Sequence, residues 1–96
     1  MKKGTAVVVT TEYRGVFFGL LTKSVKEIPK TLELKECRNC VYWSSDVKGF
    51  IGLSTTGPSV NCRVGPAAAT MRLNAITSIA PCSKDAVAAW RAEPWK

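Results

Sequence analysis

The sequence of 96 residues contains no histidine, which removes the side chain that proteins use most often as a general base and as a metal ligand. It also lacks anything close to the roughly 20 consecutive apolar residues of a membrane helix. The apolar run near its start covers only residues 6–9, whereas a signal peptide needs a longer apolar segment and a small-residue cleavage site. We therefore expect a cytosolic protein whose four cysteines are reduced thiols.

Acidic residues are also scarce, with seven Asp and Glu against 14 Lys and Arg, for a net charge of +7. Without histidine, a Ser or Cys nucleophile would need a lysine or a carboxylate as its base. Asp46 and Lys48 lie near several hydroxyls, but no catalytic motif accompanies them. We expect no enzymatic activity and no cofactor. The excess of positive charge favours anionic partners, such as nucleic acid, nucleotides or an acidic protein surface.

The length and composition indicate one domain over residues 1–96. Apolar residues make up 46% and charged residues 22% of the chain, which is ordinary for a globular protein. A chain of this size buries only a modest fraction of its surface in its own core. Because self-association would bury more, we expect a homo-oligomer.

The first half of the chain predicts three strands. Residues 5–21 form two of them, and Gly19 interrupts the second, as is usual where a strand bulges or bends. The third begins with a clean alternation that places Leu32 and Leu34 on one side. Continuing this alternation would put Glu36 and Arg38 on the same apolar side. The sequence therefore predicts a bulge or a strand end near Glu36.

The second half predicts a long loop, one more strand and a helix. Residues 70–81 alternate as a half-buried strand, with Ile76 as the one apolar residue on the polar side. Ser83 is suited to cap a helix over residues 83–93, and Pro94 ends it. The whole pattern predicts a mainly β (α+β) fold: a small, strongly bent antiparallel sheet, or an SH3-like or Sm-like barrel, with one C-terminal helix.

The four cysteines leave three interpretations open. Cys37 and Cys40 form a CxxC, and with Cys62 and Cys82 they reach the number of ligands in an all-cysteine zinc site. However, the second pair has no CxxC spacing, and a zinc ribbon has two such pairs. The other interpretations are a redox pair, which needs a lowered thiol pKa, and buried thiols that pack as small apolar groups. We expect the last of these and no bound metal.

The segment from residue 38 to residue 63 combines aromatic, hydroxyl and basic side chains with several glycines. Aromatic rings can stack on a base, while arginine and lysine can meet phosphates. The alternatives are that these glycines only shape turns and that the tryptophan only packs in a core. With one arginine from the first hairpin, the expected ligand-binding residues are Arg14, Arg38, Tyr42, Trp43, Lys48, Thr55, Thr56 and Arg63.

Four stretches carry a resemblance to a known group of proteins: "TTEYRGVFFGLL", "CRNCVYWSSDVKGFIGLSTTGP", "NCRVGPAAA" and "AVAAWRAEPW". Together they resemble a family of short phage and prophage proteins of unknown function, over roughly residues 5–95. The resemblance implies a phage protein that acts in the cytoplasm of a bacterial host. The chain is also similar in scale to several small phage proteins that are oligomers and sequester nucleotide immune signals, such as cyclic ADP-ribose isomers or cyclic oligonucleotides.

These observations lead to one main hypothesis and two alternatives. The main hypothesis is a non-enzymatic protein that sequesters a small phosphorylated nucleotide signal and so blocks antiphage defence. One alternative is a small SH3-like or Sm-like module that binds nucleic acid. The other is a phage factor that binds a host protein. We expect no membrane partner.

Overall fold

The computed structural model describes residues 1–95 and contains six strands and two α-helices. Two single 3₁₀ turns, Glu12–Arg14 and Ser45–Val47, lie between them. In chain order, the elements are β1 Ala6–Thr11, β2 Gly15–Leu21, β3 Thr31–Tyr42, α1 Gly49–Thr55, β4 Arg63–Val64, β5 Ala68–Asn74, β6 Ile76–Pro81 and α2 Lys84–Ala92.

The strands form one antiparallel sheet in the order β4-β3-β2-β1-β6, with β5 also paired to β3. The 12-residue strand β3 pairs along its length with β2, β4 and β5. Register shifts interrupt the pairing of β1 with β6, of β2 with β3 and of β3 with β4, and such irregularities bend a sheet. Within residues 1–95 the sheet is not closed into a barrel. The predicted bent antiparallel sheet is confirmed.

The predicted irregularity at Glu36 is a bulge between β2 and β3. Phe18 pairs with Arg38 and Leu20 pairs with Lys35, so two residues of β3 lie opposite Gly19. Glu36 takes up the extra length with a positive φ of 51°. Because a bulge shifts the alternation by one residue, Cys37 joins the buried leucines of β3. Arg38 and Cys40 consequently face the opposite side of the sheet.

Apolar side chains fill two cores, one on each face of the sheet. The first lies between the sheet and the helices, where the rings of Phe18 and Trp90 stack with centroids 5.1 Å apart. The second lies on the other face and includes Leu34 and Leu73. Three consecutive valines of β1, residues 7–9, are fully buried, because a strand covered on both faces needs no polar side.

The predicted strand over residues 70–81 is in fact two strands. Ala75 separates β5 from β6 with a φ of 55°, and the two strands pair with different neighbours, β3 and β1. This kink explains the apolar residue that the alternation left on the polar side. Ile76, like Ile79, packs against the second core.

The predicted long loop contains the short helix α1, so the C-terminal helix is not the only helix. The sequence gives this segment little helix propensity, since Gly49 and Gly52 both lie in its first half. Packing compensates, because Leu53 and Ser54 are buried. A side chain at Gly52 would overlap the carbonyl group of Val47, so the close approach of the preceding turn requires glycine there.

Helix α2 follows its prediction closely. The Ser83 hydroxyl caps it by accepting a hydrogen bond from the backbone N–H of Ala86 at 3.1 Å. Trp90 is fully buried, and its indole N–H donates to the carbonyl oxygen of Leu53 at 2.9 Å. That bond ties α2 to α1. Across residues 1–95, neither helix is long and apolar enough to cross a bilayer.

Candidate ligand-binding groove

The turn between β1 and β2 presents an aromatic and a basic side chain in an unusual backbone conformation. Tyr13 and Arg14 both have positive φ, 62° and 68°, in the left-handed region that favours glycine or asparagine. Both side chains are exposed, Tyr13 to 98%. Gly15 completes the turn, where a side chain would overlap that of Thr11. The backbone of this turn thus holds Arg14 at the surface.

Trp43, directly after β3, lines a groove beside this turn. Its side chain is half-buried and packs against the first core. The groove encloses about 400 Å³. A second depression of about 230 Å³ adjoins it and shares Arg14 and Trp43. We call the two together the Trp43 groove, lined by Thr10, Thr11, Arg14, Gly15, Val16, Val41, Tyr42, Trp43, Phe50 and Thr77.

The walls of the Trp43 groove combine exposed apolar side chains with hydroxyls. Val41 and Tyr42 are more than half exposed, at 59% and 53%. On the β1–β6 side, the Thr10 hydroxyl lies within hydrogen-bond distance of two others, 2.7 Å from that of Thr77 and 2.5 Å from that of Ser78. The Thr10 and Thr77 hydroxyls therefore give the groove hydrogen-bond donors and acceptors beside its aromatic side chains.

The charge of the groove is positive. Arg14 is the one charged side chain among the described lining residues. Arg63, also exposed, pairs with Tyr42 across β3 and β4, so it lies beside the Tyr42 end of the groove. Lys48 is exposed and precedes α1, which contributes Phe50 to the wall. The surroundings of the groove thus suit an anion.

Thr55 and Thr56 lie away from the groove. Their hydroxyls donate to carbonyl oxygens of their own helix, Thr55 to Ile51 and Thr56 to Gly52, both at 3.1 Å. The Thr55 carbonyl oxygen accepts a hydrogen bond from Ser83 at 2.5 Å. Thr55 therefore belongs to the contact between α1 and α2, and Thr56 caps the C-terminal end of α1.

Arg38 also lies outside the groove, and its guanidinium is committed to the protein interior. The residue is 7% exposed. Its Nε donates to the carbonyl oxygen of Gly65 at 2.8 Å, and its Nη1 donates to those of Trp90 and Glu93, the latter at 2.7 Å. Burial lowers the pKa of Arg38, and the charge of Glu93 partly opposes that shift. Arg38 thus satisfies carbonyl groups at the end of α2.

The four cysteines do not converge on one point. Cys37 lies in the second core, whereas Cys40 and Cys62 lie in the first, so the CxxC spans both faces of the sheet. Burial raises the pKa of Cys37 to about 11 and those of Cys40 and Cys82 to about 12. Among residues 1–95, no three cysteine, aspartate or glutamate side chains are grouped so that they could hold a metal ion.

Sequence reasoning missed the half of the groove that strand pairing supplies. Thr10 and Thr77 lie close together because β1 pairs with β6. Phe50 lines the groove because its segment is helical. The half-buried threonines at the end of β1, Thr10 and Thr11, carry no motif that could have indicated this. Of the eight expected residues, the structure brings Arg14, Tyr42 and Trp43 into the groove itself.

The fold and this groove define a class: a small β-sheet protein with an aromatic, positively charged surface groove. A family model described as a domain of unknown function (DUF6948) matches residues 4–90. The chain therefore belongs to this family. No curated protein and no solved structure matches it.

Proposed function

We propose that this protein is a non-enzymatic binding protein that captures a small nucleotide-derived ligand in the Trp43 groove. The observation that carries the proposal is the meeting of Arg14, Tyr42 and Trp43 with threonine hydroxyls in one groove. Aromatic rings stack on bases, arginine binds phosphate with paired hydrogen bonds, and hydroxyls suit ribose or base edges.

Sequestration requires affinity rather than catalysis, and the lining of the groove supports the proposal. Its described lining offers stacking surfaces, hydroxyls and one cation. A sequestering site usually encloses most of a small ligand, whereas this groove leaves one side open to solvent. A second copy of the chain would cover that side. The proposal therefore includes a homo-oligomer whose ligand lies between subunits.

In its fuller form, the proposal concerns antiphage defence. The resemblance to short phage proteins supports the idea that the ligand is a host immune signal, a cyclic ADP-ribose-like molecule or a cyclic oligonucleotide. Removing such a signal in the bacterial cytoplasm would silence the defence. A ligand of this kind carries both a base and phosphates, which are the two groups that the groove and its surroundings suit.

The experiment is calorimetric titration of the protein with cyclic ADP-ribose and with cyclic di- and trinucleotides. Three variants test the site. Trp43→Phe keeps an aromatic ring packed against the first core, Arg14→Gln replaces an exposed side chain of the turn, and Tyr42→Ala removes an exposed ring. Because stacking contributes about 1–3 kcal/mol per base, loss of the Tyr42 ring in Tyr42→Ala should weaken binding by a factor of about 5 to 150. Arg14→Gln should weaken binding without changing thermal stability, since Arg14 is exposed.

Matched controls come from the same chain. Trp95 is 68% exposed and lines a different cavity, so Trp95→Ala should leave the affinity unchanged, as should Arg72→Gln on β5. Light scattering of the ligand complex should give about twice the 10.4 kDa chain mass or a higher multiple. Absence of binding by all of these ligands, or equal losses in the control variants, would refute the proposal.

A further inference from the structure

A second surface feature lies outside the groove, where the first residues of the chain run beside the segment after β2. The backbone N–H of Gly4 donates to the Leu21 carbonyl oxygen at 2.8 Å, and that of Val25 donates to the Met1 carbonyl oxygen at 2.9 Å. The Lys3 N–H also donates to the Ser24 hydroxyl at 3.4 Å. These bonds hold the first residues against residues 21–25.

This arrangement gathers lysines from two parts of the sequence. We call Lys2, Lys3, Lys23, Lys26 and Lys30 together the lysine-rich surface. All five side chains are exposed. Glu27 is the one acidic residue in these two segments. Lys26 and Met1 line one surface cavity, and Lys23 and Pro29 line another.

None of these lysines is neutralised within the part of the chain that the structure describes. The two ion pairs there join Arg72 to Glu33 and Arg91 to Glu36. Unpaired like charges held together by a folded backbone raise the local potential and attract anions. The surface also contains no aromatic residue, so it can contact phosphates but cannot stack on bases.

We propose that the lysine-rich surface binds the phosphate backbone of double-stranded nucleic acid. Several lysines spread over two adjacent segments match a line of phosphates better than a single small anion. A lipid surface fits less well, because interfacial membrane segments combine basic residues with a helix that buries aromatic and leucine side chains. Residues 22–30 contain no helix and no aromatic residue.

The surface is separate from the Trp43 groove. Strand β1 runs from the lysine-rich surface to the Arg14 turn, and six strand residues span roughly 20 Å. The two proposals can therefore fail independently. Duplex binding would neither require nor exclude a nucleotide in the groove.

The experiment is fluorescence anisotropy of a labelled mixed-sequence DNA duplex of about 20 base pairs, titrated with the full chain between about 50 and about 200 mM salt. Binding should weaken steeply with salt, because each neutralised phosphate releases a counterion. Lys23→Gln/Lys26→Gln should lower the affinity at least about tenfold at low salt and flatten the salt slope by about two units.

The matched control is Lys35→Gln/Lys84→Gln, which removes the same charge from exposed positions on β3 and α2. It should change the affinity less than about threefold. Equal losses in both double variants would overturn the proposal, because net charge alone would then explain binding. So would binding to phosphatidylserine vesicles without binding to the duplex, or single-strand binding that Tyr42→Ala abolishes. Thermal unfolding verifies that each variant folds.

Discussion

At the scale of single residues, the tertiary structure separates side chains that look equivalent in the sequence. From the sequence, both Arg14 and Arg38 are expected to contact the ligand, since either guanidinium could bind a phosphate. Arg14 is exposed in a turn, whereas Arg38 is buried and bonded to three backbone carbonyl groups. The difference arises from the bulge at Glu36, which turns Arg38 toward α2.

Replacement of Arg38 should therefore destabilise the fold. Arg38→Met keeps the volume but leaves the carbonyl oxygens of Gly65, Trp90 and Glu93 without this donor. We expect the free energy of unfolding to fall by about 2–4 kcal/mol, measured by urea denaturation. Arg72→Met is the control, since Arg72 is exposed and its ion pair with Glu33 is 3.8 Å long. It should change stability by less than about 0.5 kcal/mol; similar losses in both variants would contradict the capping role.

The thiols predict a dependence of stability on alkaline pH. Burial raises the pKa of Cys37 to about 11 and those of Cys40 and Cys82 to about 12, from an ordinary value of 9.0. Above about pH 9 the unfolded chain releases thiol protons that the folded chain retains. The unfolded state then binds fewer protons, so stability falls as pH rises. Below about pH 9 these thiols contribute no such dependence.

Urea denaturation at neutral pH and at about pH 10 measures this effect, which should be on the order of 1 kcal/mol per buried thiol. Cys82 is half-buried, so Cys82→Ala should disturb packing least of the cysteine variants. It should reduce the decrease in unfolding free energy between neutral pH and about pH 10 by the contribution of one thiol. An unchanged alkaline loss in this variant would argue against burial of the Cys82 thiol as a cause.

At the scale of elements, α1 depends on its contact with α2 rather than on its own sequence. Its glycine content disfavours an isolated helix, and Ser83 and Trp90 of the α2 region donate hydrogen bonds to its carbonyl groups. The contact also explains Gly57, whose added Cβ would lie 2.5 Å from the Cβ of Ala89. Helix α2, by contrast, has its own cap and an apolar face, so its sequence alone predicts it.

A pair of glycine variants isolates this helix contact. Gly4 and Gly57 both have positive φ, 89° and 79°, but an added Cβ at Gly4 meets open space. Both alanine variants lose the backbone freedom of glycine, whereas only Gly57→Ala also forces α1 and α2 apart. Thermal unfolding should show Gly57→Ala to be less stable than Gly4→Ala by a further 1–3 kcal/mol or so, about what overpacking costs. Equal losses of stability in the two variants would mean that the contact between α1 and α2 accommodates the added methyl group.

At the scale of the whole molecule, local patterns predicted the sheet better than the groove. The hairpin of β1 and β2, the bulge in β3 and helix α2 follow from alternation, glycine position and capping, which act between near neighbours. The division of β5 from β6 and the formation of α1 depend on distant partners. Only Arg14, Tyr42 and Trp43 of the expected residues line the groove, since strand pairing decides which distant side chains meet.

The sequence by itself determined the excess of positive charge, the lack of histidine, the mainly β character and the C-terminal helix, because composition and short-range periodicity suffice for these. Tertiary structure alone decided that Thr77 and Phe50 join Trp43, that Arg38 caps α2, and that lysines from two segments share one surface. Except for Phe50, which lines the groove because its segment is helical, these contacts join residues far apart in the chain. The one-residue bulge at Glu36 is enough to redirect Arg38 from one face of the sheet to the other.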